Sequence, residues 1–263
     1  MIVEMPEPDF PLAVDVCIYC GAEEGLTDEH VVPYSLGGTW ELKRASCTSC
    51  QKITSQLERK VSRGDFLALR TVGKFPSYHP KNRPSELSQA YELNGQREEV
   101  VLPPHEHPAP FIMLTFAPPS ILSGEAHTEV PHVSKVRVFS RTGKVQQLGR
   151  DLGATGLTVG LPDRVLFARF LAKVALAYAV ASPGLAAMKE VFVRDAILGR
   201  TNDVGRWVGC VTQEAFTSGV GLHEIVSIVR EGRVEVAVKL FSSMDTPEYR
   251  VVVGSAVEQT AQL

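Results

Sequence analysis

Four of the five cysteines in the 263-residue sequence form two closely spaced pairs. Cys17 pairs with Cys20 and Cys47 with Cys50, each time with two residues between the members. Two thiolates at this spacing can reach one ion, and four complete the tetrahedral shell of a structural Zn²⁺. Disulfides are not expected, because the chain has no secretion signal and few other cysteines. The sequence therefore predicts one structural zinc, with Cys210 as an ordinary thiol.

The segment between the two cysteine pairs carries the residues that could perform chemistry. It spans 26 residues and contains Asp28, Glu29 and His30 in succession. Imidazole, with an ordinary pKa of about 6.5, can accept a proton from water at neutral pH. A carboxylate can hold a hard divalent cation. The zinc itself cannot hydrolyse a substrate, because a four-cysteine shell leaves no open coordination position.

Two strands and a helix are expected to position these residues. A β-branched run ends at Pro33, and Gly37 and Gly38 signal a tight turn before a return strand. After the second cysteine pair, apolar residues at four-residue intervals predict a helix from Thr48 to Arg63. The sequence thus predicts a ββα unit whose open ends are tied together by the zinc.

The order of these features resembles the zinc-bearing branch of the HNH endonuclease family. The resemblance spans roughly residues 17–60 and rests on CxxC, an acid–His pair followed by Val-Val-Pro, Ser-x-Gly-Gly and a second CxxC. It implies a ββα-metal fold that hydrolyses DNA phosphodiester bonds with one catalytic divalent ion, Mg²⁺ or Mn²⁺. Residue by residue, it implies His30 as the general base, and Glu29 and Gln51 as ligands of that catalytic ion.

A non-catalytic alternative stays open at this point. Leu42 and Lys43 stand where the family carries an orienting Asn, and Gln51 replaces the usual His or Asn. These differences favour a nucleic-acid- or protein-binding module built on a degenerate HNH zinc platform. The adjacent Glu29 and His30 favour an endonuclease.

The charge distribution indicates where DNA would bind. The net charge is −3, yet residues 1–42 hold nine acids and no Lys or Arg, whereas residues 43–84 hold ten bases and two acids. Such a concentration of positive charge favours contacts with phosphates, although a solvated charged surface is the alternative. The expected nucleic-acid-binding residues lie on the predicted helix: Lys52, Arg59, Lys60 and Arg63.

Three segments are expected along the chain, with an α+β fold overall. They are a zinc-bound ββα module at residues 1–64, a basic, proline-bearing linker at 65–90 and an α+β domain of open role at 91–263. No stretch has the roughly 18 apolar residues of a membrane span, and the N-terminal residues lack the pattern of a signal peptide. A cytoplasmic protein without membrane association is expected. Its oligomeric state is left open, with a homodimer as one alternative.

The expected α+β domain contains antiparallel strands and one buried helix. The apolar run from Asp163 to Ala181 predicts the helix, and β-branched runs between residues 224 and 253 predict an antiparallel meander. A hairpin is expected from strands at 133–140 and 145–148. Three polar residues of the buried helix are expected at its rim: Arg169, Lys173 and Tyr178.

Overall fold

The computed structural model describes residues 2–4, 8, 10, 12–125, 129–212, 215–216 and 221–257. The strands are β1 (Ile2–Glu4), β2 (Leu12–Ala13), β3 (Leu26–His30), β4 (Glu41–Cys47), β5 (Leu87–Leu93), β6 (Gln96–Leu102), β7 (Phe111–Phe116), β8 (Val133–Phe139), β9 (Ala154–Thr158), β10 (Met188–Val191), β11 (Val208–Gly209), β12 (His223–Arg230), β13 (Arg233–Leu240) and β14 (Glu248–Ala256). The helices are α1 (Thr48–Lys60), α2 (Leu67–Val72), α3 (Ser120–Ser123), α4 (Thr142–Leu152), α5 (Arg164–Ala181) and α6 (Arg194–Leu198). The predicted α+β class is confirmed.

Strands β3 and β4 with helix α1 form the predicted ββα unit. β3 and β4 are antiparallel, with Leu26 opposite Cys47 at one end and His30 opposite Glu41 at the other. β2 extends this sheet on the free edge of β4. Helix α1 follows β4 directly but ends at Lys60 rather than at Arg63, because the chain continues into a π-helical turn over 61–65.

Two glycines fix the connection between β3 and β4. Gly37 has a φ of 90°, a left-handed conformation that glycine adopts without strain. At Gly38 a Cβ would lie 2.0 Å from the carbonyl oxygen of Val32, so only glycine allows this close approach. On the returning chain, the carbonyl oxygen of Trp40 accepts a hydrogen bond of 3.0 Å from Val31 N.

The larger part of the chain is organised by a six-stranded antiparallel sheet. Its order is β1-β12-β13-β14-β10, and β11 also pairs with β14. The predicted meander near the C-terminus is the β12-β13-β14 portion of this sheet. Two smaller antiparallel sheets have the orders β6-β5-β9 and β7-β8.

Helix α5 is the predicted buried helix, and it packs on β13 and β14. Asp163 caps its first turn by accepting hydrogen bonds from the amides of Val165 and Leu166, and 13 of its 18 residues are buried. The expectation that Lys173 and Tyr178 lie at the rim is wrong, since both side chains are buried. Among the described residues, no helix has the length and apolar character that crossing a membrane requires.

The hairpin expected between residues 133 and 148 is also wrong. β8 pairs with β7, and the segment after it is helix α4. Val145 and Leu148 lie three residues apart, which is a helical spacing, and Leu148 is buried against a small cluster beneath β5. The loop-like sequence at Thr142 and Gly143 therefore begins a helix rather than a hairpin turn.

One hydrophobic core joins the ββα unit to the larger part of the chain. Ile18, Leu36 and Leu57 belong to the same buried cluster as Phe167 and Val236. β1 pairs with β12, so the N-terminal segment adds a strand to the main sheet. The ββα unit is therefore packed directly against α5, while the division of the chain at residues 64 and 90 stays a prediction.

Candidate active site

The two predicted cysteine pairs come together in one cluster. The four Sγ atoms lie within 4.8 Å of one another, and those of Cys20 and Cys47 are 3.6 Å apart. A tetrahedral ion with Zn–S bonds of about 2.3 Å would separate its sulfurs by about 3.8 Å. The donor type and the spacing therefore fit one structural zinc, whereas Cys210 lies outside the cluster.

Backbone hydrogen bonds shape both halves of the cysteine cluster. Gly21 N donates to Cys17 O at 2.8 Å and closes the first turn, with Gly21 at a φ of 78°. Cys47 ends β4 and Cys50 lies in the first turn of α1. The backbone amide of Cys50 lowers the pKa of the Cys47 thiol to about 7. Burial instead raises the pKa of the Cys17 and Cys50 thiols, so the fit to zinc rests on the donor type and the spacing.

A cleft with a volume of about 470 Å³ opens at the other end of the β3–β4 pair. The predicted general base and the two predicted ligands of a catalytic ion all line it. Three further carboxylates line the same cleft. Its ionisable and amide-bearing residues on the ββα unit include Asp28, Glu29, His30, Glu41, Gln51 and Glu58.

His30 ends β3 at this cleft, and its imidazole is half-buried. Burial, together with the positive charge of Lys173, lowers the pKa of His30 below its ordinary value. The imidazole is therefore neutral at pH 7 and can accept a proton. Tyr78 Oη lies 3.5 Å from His30 Nε2, and the Tyr34 ring lies 4.7 Å from the Tyr78 ring.

Lys173 of helix α5 does not line the cleft but lies beneath it, where it joins two of the lining carboxylates. Its Nζ lies 2.7 Å from Glu29 and 2.7 Å from Glu58, and its side chain is completely buried. It also donates to the carbonyl oxygens of His30 and Val31. Burial opposes a charge on Lys173, but Glu29 and Glu58 more than compensate and raise its pKa. Lys173 is therefore a buried cation directly beneath the predicted general base.

Lys43 also forms ion pairs with two carboxylates, at the exposed rim of the cleft. Its Nζ lies 2.8 Å from Asp28 and 2.5 Å from Glu41. Asp28 also accepts from Arg44 N at 3.0 Å, where β4 bulges and Arg44 has a φ of 54°. The hydrogen bond from Lys43, followed by that from Arg44 N, lowers the pKa of Asp28. Asp28 thus stabilises the bulge and stays ionised.

The comparison with known families identifies the part of the chain that carries the four cysteines and the predicted catalytic residues. Residues 17–64 match the family model described as HNH endonuclease. The resemblance predicted from the sequence is thereby confirmed for this segment. Comparisons with curated proteins and with solved structures gave no match. The family match and the cysteine cluster together support a nuclease-like function.

The predicted nucleic-acid-binding residues all lie at the C-terminal side of this HNH-like segment. Arg59 and Arg63 line the cleft, whereas Lys52 and Lys60 are exposed on α1 and do not line it. Within the described part of the chain, none of these four side chains is held in an ion pair or a hydrogen bond. Their charges are therefore available to an external anion.

Two residues of the charge cluster at the cleft were not predicted to belong to the site. Glu58 lies seven residues after Gln51, two turns along the same face of α1. This helical spacing could have predicted that Glu58 lies near the predicted metal ligand Gln51. The signal for Lys173 was weaker, a lysine within a largely apolar helix. Such a residue is buried only when its charge is paired, and the HNH-like segment supplies the carboxylates.

Proposed function

We propose that the cleft is the active site of a metal-dependent endonuclease that hydrolyses DNA phosphodiester bonds. The observation that carries the proposal is the position of His30. It stands at the mouth of a cleft lined by carboxylates and arginines, inside the segment that matches the HNH endonuclease family. A neutral imidazole there can remove a proton from the attacking water.

The charges around His30 are compatible with one divalent cation. Four carboxylates, those of Asp28, Glu29, Glu41 and Glu58, are ion-paired with two ammonium groups, Lys43 and Lys173, and this cluster alone has a formal charge of −2. Arginines line the same cleft without pairing with these carboxylates, and the oxygen donors of the cluster suit a hard ion such as Mg²⁺ or Mn²⁺. Glu29 and Gln51, which both line the cleft, would hold it. When bound, the ion supplies positive charge to the phosphate undergoing hydrolysis.

Lys173 serves in this proposal as a positioning residue. Its hydrogen bonds to the carbonyls of His30 and Val31 fix the end of β3, so the imidazole keeps its direction toward the cleft. Its ion pairs hold the carboxylates of Glu29 and Glu58 in place, and they partly offset burial, which raises the pKa of Glu58. A zinc ion held by the four cysteines would be structural and would tie the distant end of the β3–β4 pair to α1.

Arg59 and Arg63 would meet the DNA backbone at the cleft, and Lys52 and Lys60 would extend the positive surface along α1. Each phosphate that they neutralise makes binding more sensitive to salt, by a slope of about −0.9 in log K against log salt. DNA affinity should therefore fall steeply between low and physiological ionic strength.

A non-catalytic binding module is the second candidate, and one contact favours it. Glu29 Oε1 is already paired with the ammonium group of Lys173, which repels a second cation. The same basic residues would then bind a nucleic acid that is not cleaved.

A plasmid-nicking assay with zinc-loaded protein and added Mg²⁺ or Mn²⁺ separates the two candidates. The endonuclease requires cleavage that depends on the added ion and stops with a chelator that leaves the zinc in place. Glu29→Gln should then need a higher concentration of the added ion. DNA binding without cleavage at any ion concentration would favour the binding module. Elemental analysis of the same samples should find about one zinc per chain.

A further inference from the structure

A second cavity adjoins the candidate active site on the side of helix α2. It has a volume of about 220 Å³ and shares four lining residues with the catalytic cleft. The shared residues are Arg63, Arg70, Ser77 and His79. The two cavities are therefore neighbouring parts of one surface depression, and a strand lying in one would extend into the other.

Three arginines converge on this second cavity from different elements. Arg63 belongs to the π-helical turn after α1, Arg70 to α2 and Arg83 to the loop that follows. The wider π-helical turn is a local departure of the kind often found at functional sites. Phe75 packs its ring against Phe241 in the core, and Arg83 Nη2 donates to Phe75 O at 2.5 Å. The loop is thus folded back over α2.

Within the described part of the chain, no acidic residue lines this cavity. The guanidinium groups of Arg63 and Arg70 have no hydrogen bond or ion pair with the described residues. Burial, and then the charges of Arg63 and Arg83, lower the pKa of Arg70. Three cations without a carboxylate repel one another, so an anion in the cavity would remove an unfavourable interaction.

We infer that Arg63, Arg70 and Arg83 form a binding site for a phosphate group of a nucleic-acid strand, next to the phosphate that is hydrolysed. Guanidinium groups bind phosphate oxygens through paired, charge-assisted hydrogen bonds. The Asn82 amide and the Ser77 hydroxyl line the same cavity and can donate to the remaining oxygens. This inference rests on the proposed function, because it gives the site a place in binding the substrate of the catalytic cleft.

The test measures DNA binding rather than cleavage. In the inactive His30→Ala background, the affinity for a labelled 20-base-pair duplex is measured by fluorescence anisotropy over a range of salt concentrations. Arg83→Ala and Arg70→Gln should each weaken binding roughly tenfold, as expected for a lost hydrogen bond to a charged group. The double variant should lower the salt slope by about 0.9, because one phosphate contact is lost.

Arg97→Ala is the matched control, since Arg97 is an exposed arginine on β6 that lines neither cavity. Its affinity should stay at the starting value. The inference is overturned if Arg83→Ala and Arg70→Gln, with unchanged zinc content and thermal stability, bind the duplex like Arg97→Ala. Because Arg63 is exposed and makes no hydrogen bond or ion pair with the described residues, Arg63→Ala should weaken binding to a similar degree and keeps the test decisive even if changes at Arg70 or Arg83 disturb folding.

Duplexes with and without 5′-phosphates distinguish the two sources of phosphate. An effect of Arg83→Ala that persists on duplexes without terminal phosphates assigns the site to the backbone. An effect confined to phosphorylated ends assigns it to a strand terminus. If the protein with His30 cleaves no DNA while the arginine variants still weaken binding, the proposed catalysis fails and the phosphate site stands. If the arginine variants bind and cleave DNA normally, the phosphate site fails and the proposed catalysis stands.

Discussion

Two lysines each hold two carboxylates at the cleft, but in different surroundings. The side chain of Lys43 is 40% exposed, and its partners Asp28 and Glu41 also reach solvent. The side chain of Lys173 is fully buried. Water screens exposed ion pairs, so they contribute little to stability. In a buried cluster, removal of one partner leaves charges that water cannot solvate.

The two clusters also differ in the origin of their residues. Lys43 and its partners all belong to β3 and β4, so the rim is built within the HNH-like segment. Lys173 lies 143 residues after His30 and comes from helix α5 of the larger part of the chain. The buried cation beneath the cleft therefore comes from the rest of the protein. The cleft and the main sheet should accordingly lose stability together.

The largest effect is expected from Lys173→Met. This change removes the ammonium group and leaves Glu29 and Glu58 buried beside each other, which should reduce the free energy of unfolding by about 3–5 kcal/mol. Chemical denaturation followed by circular dichroism measures it. The triple variant with Glu29→Gln and Glu58→Gln removes the unpaired charges as well and should recover much of the loss. A single Lys173→Met variant as stable as the wild type would contradict the buried charge cluster.

An intermediate effect is expected from Asp65, a half-buried carboxylate with no cation in ion-pair contact within the described part of the chain. Burial, and then the charge of Asp163, raise its pKa from 3.8 to about 6. The folded state therefore favours the protonated acid. Stability is lost as the pH rises from the ordinary pKa to the raised one, because the folded state must then bury a charge.

Asp65→Asn should consequently raise the free energy of unfolding at pH 8 by about 1 kcal/mol, after allowance for partial exposure. At pH 4 the gain should be nearly absent, because wild-type Asp65 is then protonated in the folded state. Denaturation curves at the two pH values measure the difference. An equal gain at both would show that the effect is not electrostatic.

The smallest effect is expected from Lys43→Met. Its ion pairs are exposed, so the decrease in the free energy of unfolding should be a small fraction of that for Lys173→Met. The decrease should be smaller still in 1 M salt. The same denaturation assay applies. A loss of unfolding free energy as large as that of Lys173→Met would contradict the distinction between the exposed and the buried ion pairs.

Sequence patterns predicted the parts of the site that are close together along the chain. The spacing of Cys17, Cys20, Cys47 and Cys50 predicted the cluster, because two-residue spacers act within one turn. The Glu29–His30 pair and Gln51 were placed at one cleft because the β3–β4–α1 unit is local. Helix α5 was found because its apolar run is long.

The parts that sequence patterns missed depend on contacts between distant residues. Lys173 was expected at a rim because its partners, Glu29 and Glu58, are more than 100 residues away in the sequence. The expected hairpin after β8 failed because Val145 and Leu148 suit either a short strand or a helix, and packing beneath β5 decides. The sequence placed Arg70 and Arg83 in a basic linker. Only the folded loop shows that they lie at the same cavity as Arg63.

The most direct test of His30 as the general base is the single-turnover rate of DNA cleavage by His30→Ala. General-base assistance is typically worth about 10²–10⁴ in rate, so the variant should lose that factor while zinc content and DNA affinity stay unchanged. Because the pKa of His30 is lowered, wild-type activity should fall only as the pH drops below about 6.5. A His30→Ala variant that cleaves DNA at the wild-type rate would contradict this role and place the activity elsewhere.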